Sequence, residues 1–236
     1  MIQDEVAGYP RWWDMEDSPT GPVEVRFVGA GPDRRPDRQR LLETLEGKAP
    51  RVAWAEQVHG DTVLEVDQPG PAGEGDALIT REPNLALAVS TADCVPVLLT
   101  APDGTLAAVH AGWRGILANV VGATLDRFSG PLEEVTAWIG PAIAGCCYQV
   151  ENELAERMAE VVGSREIIQW KGVLGIEWSS PRLDLPQAVG RQLVARGVDD
   201  LRILDVCTHC SGINVHGHRR DRELAGRNLS FIWREE

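Results

Sequence analysis

Between residues 51 and 110 the chain passes through five short apolar or alternating runs, each cut off by turn-forming residues. They are 51–58 (RVAWAEQV), 62–66 (TVLEV), 85–90 (LALAVS), 95–100 (VPVLLT) and 105–110 (TLAAVH). Runs of this length, bounded by Gly, Pro, Asp and Asn, are too short for core helices and read as strands. Residues 135–139 (VTAWI) and 202–206 (RILDV) read the same way. Helical spacing occurs at Leu117, Val120, Val121, Thr124, Leu125 and Phe128, and again at Val150, Leu154, Met158, Val161 and Val162. A further helix is expected to open at Asp184, whose carboxylate can cap the first free amides, with Pro186 in the first turn. Strands outnumber helices and do not alternate strictly with them. The expected class is therefore α+β with mixed sheets, and a doubly wound parallel sheet is disfavoured.

Pro, Gly and Asp cluster at 29–37 (GAGPDRRPD) and 68–75 (QPGPAGEG), which read as loops. Neither is long enough for a domain linker. One domain over residues 1–236 is expected, with 1–20 as an N-terminal extension of no readable function. The formal charge is −13, which disfavours general binding to nucleic acid or to an anionic membrane surface, since both need a basic face. A local basic pocket stays compatible with it. No window approaches the roughly eighteen apolar residues of a membrane helix. The acidic first residues lack the order of a signal peptide. Five cysteines, an odd number with two of them adjacent, make a poor disulfide framework and fit a reducing compartment, so a cytoplasmic location is expected. Oligomeric state is not readable.

The phosphate-binding loop GxxxxGK[ST], the GxSxG elbow and the HExxH helix are all absent. Three other segments carry chemistry: 57–60 (QVHG), 91–94 (TADC) and 109–115 (VHAGWRG). Each places a metal-capable side chain, His59, Cys94 or His110, near a strand end. There a rigid scaffold meets solvent and distant side chains can converge. Two imidazoles and a thiolate suit zinc, and three protein ligands leave the fourth position open, as in catalytic sites. Zinc lowers the pKa of a bound water to about 7. Spacing alone does not join the three, because no short CxxC or HxxxH pair links them.

QVHGDTV, GDALIT, TADCVPVLL, AAVHAGWRGI, IGPAIAGCCYQV, LDL and CTHC…HRRD occur here in that order. In this the chain resembles the laccase-domain family, first called multicopper polyphenol oxidases. Its members are now largely regarded as purine nucleoside phosphorylases, and some are named peptidoglycan editing factors. The resemblance implies a sandwich-like β core flanked by helices, with some likeness to a deamidating bacterial toxin domain that uses Cys and His. It implies a zinc site at His59, Cys94 and His110. It also implies phosphorolysis of adenosine, inosine, guanosine or methylthioadenosine, with adenosine deamination as a second activity. The substrates would then be purine nucleosides and phosphate. Two departures stand out. Residues 25–37 (VRFVGAGPDRRPD) differ from the family's Gly- and Ser-rich segment, and Gln149 replaces a common Glu.

Other residues are weighed against blander roles. Arg114 could clamp phosphate through paired hydrogen bonds or form a structural salt bridge; its place in the motif favours the first. Asp93 could orient His110 or His59, or simply stabilise a turn. Cys207 and Cys210, with His216 and His218 downstream, look like a second metal set but are discounted. Cys207 is read instead as a core cysteine, and His218 and Arg219 as substrate-facing. Cys146 and Cys147 are read as buried thiols and Tyr148 as a pocket residue. A multicopper oxidase needs on the order of ten histidines; this chain has 5. A single copper in place of zinc is the most that an oxidase reading allows. The remaining alternative is a cysteine hydrolase acting on peptidoglycan precursors, with Cys94 as nucleophile and His110 as base. A non-enzymatic metal scaffold would bind zinc without turnover.

Overall fold

The structure is a computed structural model that describes residues 1–6, 9–30, 51–172 and 175–236. With strands numbered in chain order, one sheet of seven runs β1 (Ile2–Val6), β2 (Tyr9–Ser18), β3 (Gly21–Val28), β15 (Asn228–Arg234), β8 (Leu85–Thr91), β4 (Arg51–Glu56) and β6 (Gly70–Glu74). A second sheet of six runs β14 (Asp200–Ile203), β11 (Thr136–Ile139), β9 (Val95–Thr100), β10 (Leu106–Ala111), β7 (Ala77–Thr80) and β5 (Val63–Glu65). A ribbon of β12 (Ile168–Lys171) and β13 (Glu177–Leu183) stands beside them. Parallel and antiparallel pairs mix in both large sheets, as with β4 on β8 and β10 on β9. The fold is the expected α+β arrangement in one domain.

The uninterrupted apolar runs of β9 and β10 follow from burial on both faces. Leu98, Leu106 and Ala108 pack against Val25, Phe27, Leu87 and Ile232 of the seven-stranded sheet. Val97, Leu99, Ala107 and Val109 point the other way, under the helices. Alternate residues of a strand face opposite sides, so a strand sandwiched between two layers must be apolar at every position. Burying each such side chain contributes about 1.5–3 kcal/mol.

The helical layer contains α1 (Trp113–Leu117), α2 (Val120–Leu125), α3 (Asn152–Val162) and α4 (Leu185–Ala195). In α3, Ala155, Met158, Ala159 and Val162 form the buried stripe, while Val161, expected in it, is exposed. Asp184 caps α4 by accepting from the Gln187 amide at 2.9 Å, with Pro186 in the first turn. The helix expected around 117–128 is instead two short ones, because Asn119 takes a left-handed φ of 66° between them.

Two expectations are corrected. Residues 68–75 contain a strand, β6, which pairs with β4 through a bulge at the sheet edge. The strand expected at 202–206 lies at Asp200–Ile203, where it pairs in parallel with β11. The first twenty residues supply β1 and β2, which extend the seven-stranded sheet through β3. Of the loop read at 29–37, only Gly29 and Ala30 are among the described residues. No helix among the described residues is long and apolar enough to cross a membrane.

Candidate metal centre

The ends of β4, β8 and β10 meet at one edge of the sandwich. His59 sits in the turn after β4, Cys94 in the turn between β8 and β9, and His110 near the end of β10. One ligand atom from each lies within 4.8 Å of the others. The imidazoles meet edge to face, with ring centroids 4.8 Å apart. His110 is buried, Cys94 half-buried and His59 exposed, so the group is gripped from inside and reachable from outside. Gly112 makes the convergence possible: a Cβ there would stand 2.9 Å from Cys94 Sγ and 3.1 Å from His59 Cδ2.

One carboxylate organises two of the three. Asp76 precedes β7, which pairs antiparallel with β10, and the His110 amide donates to the Asp76 carbonyl at 2.7 Å. That register places Asp76 Oδ1 2.7 Å from His110 Nδ1. An ionised carboxylate only accepts, so Nδ1 carries the proton and Nε2 is left for the centre. The same carboxylate accepts from the amides of His59 at 2.9 Å and Gly60 at 2.6 Å. It therefore holds the His59 turn, where φ is 63°. Burial pushes the Asp76 carboxyl up, but His110 and the two amides outweigh it and hold the carboxyl below its usual value.

The electrostatics favour a charged set. Burial disfavours the Cys94 thiolate, yet the imidazoles of His110 and His59 overcome it and bring the thiol down to about 7. Burial likewise disfavours the His110 imidazolium, but Asp76 and Cys94 raise it to about 9. Both shifts run toward a thiolate beside an imidazolium. One sulfur and two nitrogens, converging with one histidine's tautomer fixed, are a donor set that fits a transition-metal ion.

The cleft above these residues has a volume of about 650 Å³, and its walls include every site residue expected from the sequence: His59, Asp93, Cys94, His110, Arg114, Tyr148, His218 and Arg219. Of the two roles weighed for Asp93, orienting His110 or His59 is not the one its hydrogen bonds show. Its carboxylate accepts from Thr208 Oγ1 and the Arg219 amide, both at 2.6 Å, and Asp76 is the carboxylate that touches His110. Arg114 lies over the Trp113 ring at 4.2 Å. Among the described residues it makes no ion pair, so the structural salt bridge weighed for it is not formed. Arg219 donates to the Gln149 carbonyl at 3.0 Å and sits over Tyr148. Burial pushes the Tyr148 phenol up to about 12, so its hydroxyl stays protonated. Sequence reasoning missed Glu56, Ser90 and Arg227 on the walls. It also left the Gln57 side chain without a role; its amide clamps Ser90 by accepting from the Ser90 amide at 2.9 Å and donating to the Ser90 carbonyl at 2.8 Å.

Residues 34–235 match the family described as multi-copper polyphenol oxidoreductase laccase. The chain belongs to this family. It is 36% identical to the purine nucleoside phosphorylase ORF3 of Streptomyces griseus, over 94% of this chain and 91% of that one. It is 34% identical to the purine nucleoside phosphorylase YfiH of Escherichia coli K12, over 87% and 83%. Its fold is similar to that of YlmD from Geobacillus stearothermophilus, with a TM-score of 0.79 and 28% identity over 99% of this chain and 98% of that one. The family name does not carry copper oxidase chemistry to this chain. Among the described residues, the only metal-capable group that includes histidine is the one trio.

Proposed function

We propose that this family member is a zinc-dependent purine nucleoside phosphorylase, with adenosine deamination as a second activity, and that His59, Cys94 and His110 hold the ion. The observation that carries the reading is a single cleft in which the metal-capable trio faces Arg114, Tyr148, His218 and Arg219. The names of the relatives supply the reaction class. When bound, zinc supplies Lewis acidity and water activation. The volume suits a nucleoside with phosphate, since small-molecule sites run to about 300–1,000 Å³.

In phosphorolysis a phosphate oxygen bonds to the ribose C1′ as the C1′–N9 bond breaks. Its electron pair leaves with the purine, which takes up a proton. Arg114, free of a carboxylate partner among the described residues, is placed to hold the phosphate through charge-assisted hydrogen bonds. Arg219 is braced by the Gln149 carbonyl and lends positive charge to the same wall. Tyr148, protonated, offers a hydrogen-bond donor and a ring edge to the substrate. His110 is oriented by Asp76 and keeps its Nε2 toward the centre.

The test is incubation with adenosine, with and without phosphate. Adenine and ribose 1-phosphate should form only with phosphate, and Cys94→Ala should lose both metal and turnover. Fully zinc-loaded enzyme that leaves every purine nucleoside untouched would refute the proposal. Elemental analysis of freshly purified protein identifies the ion, since a Cys/His set also accepts copper.

One observation favours a second reading, a cysteine hydrolase. Asp76, His110 and Cys94 form an acid–base–thiol series in which the thiol is brought down to about 7. A thiolate bound to zinc is a poor free nucleophile. Activity that survives complete metal removal and is lost on alkylation of Cys94 would select this reading.

A further inference from the structure

A second cluster lies outside the cleft. The sulfurs of Cys146, Cys147, Cys207 and Cys210 all lie within 4.8 Å of one another. Two loops bring them together. In one, a turn after β11 carries Cys146 and Cys147; in the other, the CxxC turn after β14 carries Cys207 and Cys210. Backbone bonds join the loops: the Ala142 amide donates to the Val206 carbonyl at 3.2 Å, and the Thr208 amide to the Ala142 carbonyl at 3.0 Å. The histidines considered with this CxxC do not take part. His216 Nδ1 accepts from the Gly226 amide at 3.2 Å, and His218 faces the cleft. Cys207 is buried in the core, as read from the sequence, whereas Cys146, read as a buried thiol, is exposed and Cys147 half-buried.

Tetrahedral thiolates at about 2.3 Å from one zinc ion stand about 3.8 Å apart. Cys146 Sγ and Cys210 Sγ are 3.5 Å apart, and all four sulfurs lie within 4.8 Å of one another, close to that spacing. A multi-iron cluster would need its cysteine sulfurs spread over several metal atoms. Cys146 and Cys210 are exposed, which suits a closed-shell ion with no redox state to protect.

We propose that Cys146, Cys147, Cys207 and Cys210 form a structural four-cysteine zinc site, separate from the His59–Cys94–His110 centre. Binding releases the thiol protons to solvent and changes no oxidation state. The site would pin the loop that ends in Tyr148 to the loop that carries Thr208. Thr208 in turn donates to Asp93, which receives the Arg219 amide. The ion would thus brace one wall of the cleft without touching substrate.

Metal content and zinc X-ray absorption of the full chain, purified under reducing conditions, test the proposal. Wild type should carry two zinc ions. Cys94→Ala/His110→Ala should keep one, with four sulfur neighbours at about 2.3 Å. Cys146→Ser/Cys210→Ser should lose that ion and keep the other. If this last variant does not fold, the absorption spectrum of Cys94→Ala/His110→Ala decides alone. Loss of all zinc from Cys94→Ala/His110→Ala, iron in the four-cysteine cluster, or a disulfide there in place of zinc would overturn the proposal.

Discussion

Asp76 illustrates how one buried carboxylate can decide the chemistry of two histidines. It fixes the proton of His110 on Nδ1 and ties down the amides of the His59 turn. Replacing it with Asn keeps the size but puts amide hydrogens where backbone N–H groups need an acceptor. Partners of this kind are worth about 10–100-fold in metal affinity. Asp76→Asn should therefore weaken zinc binding by about that factor, measured by competition with a chelator. An unchanged affinity would remove Asp76 from the centre. The pH dependence follows from the same pair. His110, raised to about 9, must give up its Nε2 proton to coordinate, whereas Cys94, lowered to about 7, is already largely ionised above neutrality. Protons thus compete with the metal, and affinity should rise about tenfold per pH unit from 7 to 9 and then level off. In Asp76→Asn the plateau should begin at lower pH. His59, Cys94 and His110 were legible as metal-capable residues at strand ends. Asp76 was not, although it stands in the GDALIT segment, because its role comes from the β7–β10 register. A motif does not report which carboxylate an antiparallel pairing will set opposite a histidine.

Between strand and site lie the turns, and Gly112 is the one that sets how closely the ligands approach. Its φ of −78° and ψ of 169° are open to any residue, so its requirement is space, not backbone freedom. Gly112→Ala should leave the fold in place while forcing Cys94 and His59 apart. Overpacking of this kind costs about 1–3 kcal/mol, which as lost metal binding is about five- to 150-fold. Titration with zinc, alongside circular dichroism to show the fold intact, checks this; undiminished binding would mean that the turn relaxes freely. At this scale, legibility tracked burial. β9 and β10 were readable because both faces are covered and every residue except Thr100 and His110 is apolar. The Asp184 cap was readable because its chemistry is local. Edge strands β1 and β6, and β2 next to the edge, were missed because charged residues, Gly and Pro interrupt any apolar pattern, and their pairing partners supply the structure. The break at Asn119 was missed because helical periodicity continues across it. The four-cysteine cluster escaped because its halves meet only through contacts between two loops distant in sequence.

Across the whole molecule, the N-terminal strands do more than widen one sheet. Asp14 on β2 reaches to the other sheet, accepting from the indole of Trp138 at 2.9 Å and pairing with Arg202 at 3.2 Å. Arg202 also pairs with Glu16 at 2.5 Å and lies over the Trp138 ring. Trp138 is fully buried, so its N–H depends on that one carboxylate. Asp14→Ala should strand the donor and cost about 1–3 kcal/mol. In a chain of this size each kcal/mol corresponds to about 2–4 °C in melting temperature. Burial pushes the Asp14 carboxyl up, but Trp138 and Arg202 prevail and hold it below its ordinary value. The stabilisation is therefore present above the unfolded carboxylate pKa of about 3.9 and is lost as acid protonates the folded group below it. Wild type and Asp14→Ala should accordingly differ in thermal melts near neutrality and converge in strong acid, while zinc stoichiometry stays the same in both. Identical melting at neutral pH would mean that β1 and β2 lie on the core without anchoring it. A variant that also lost metal would show that this clamp reaches as far as the cleft.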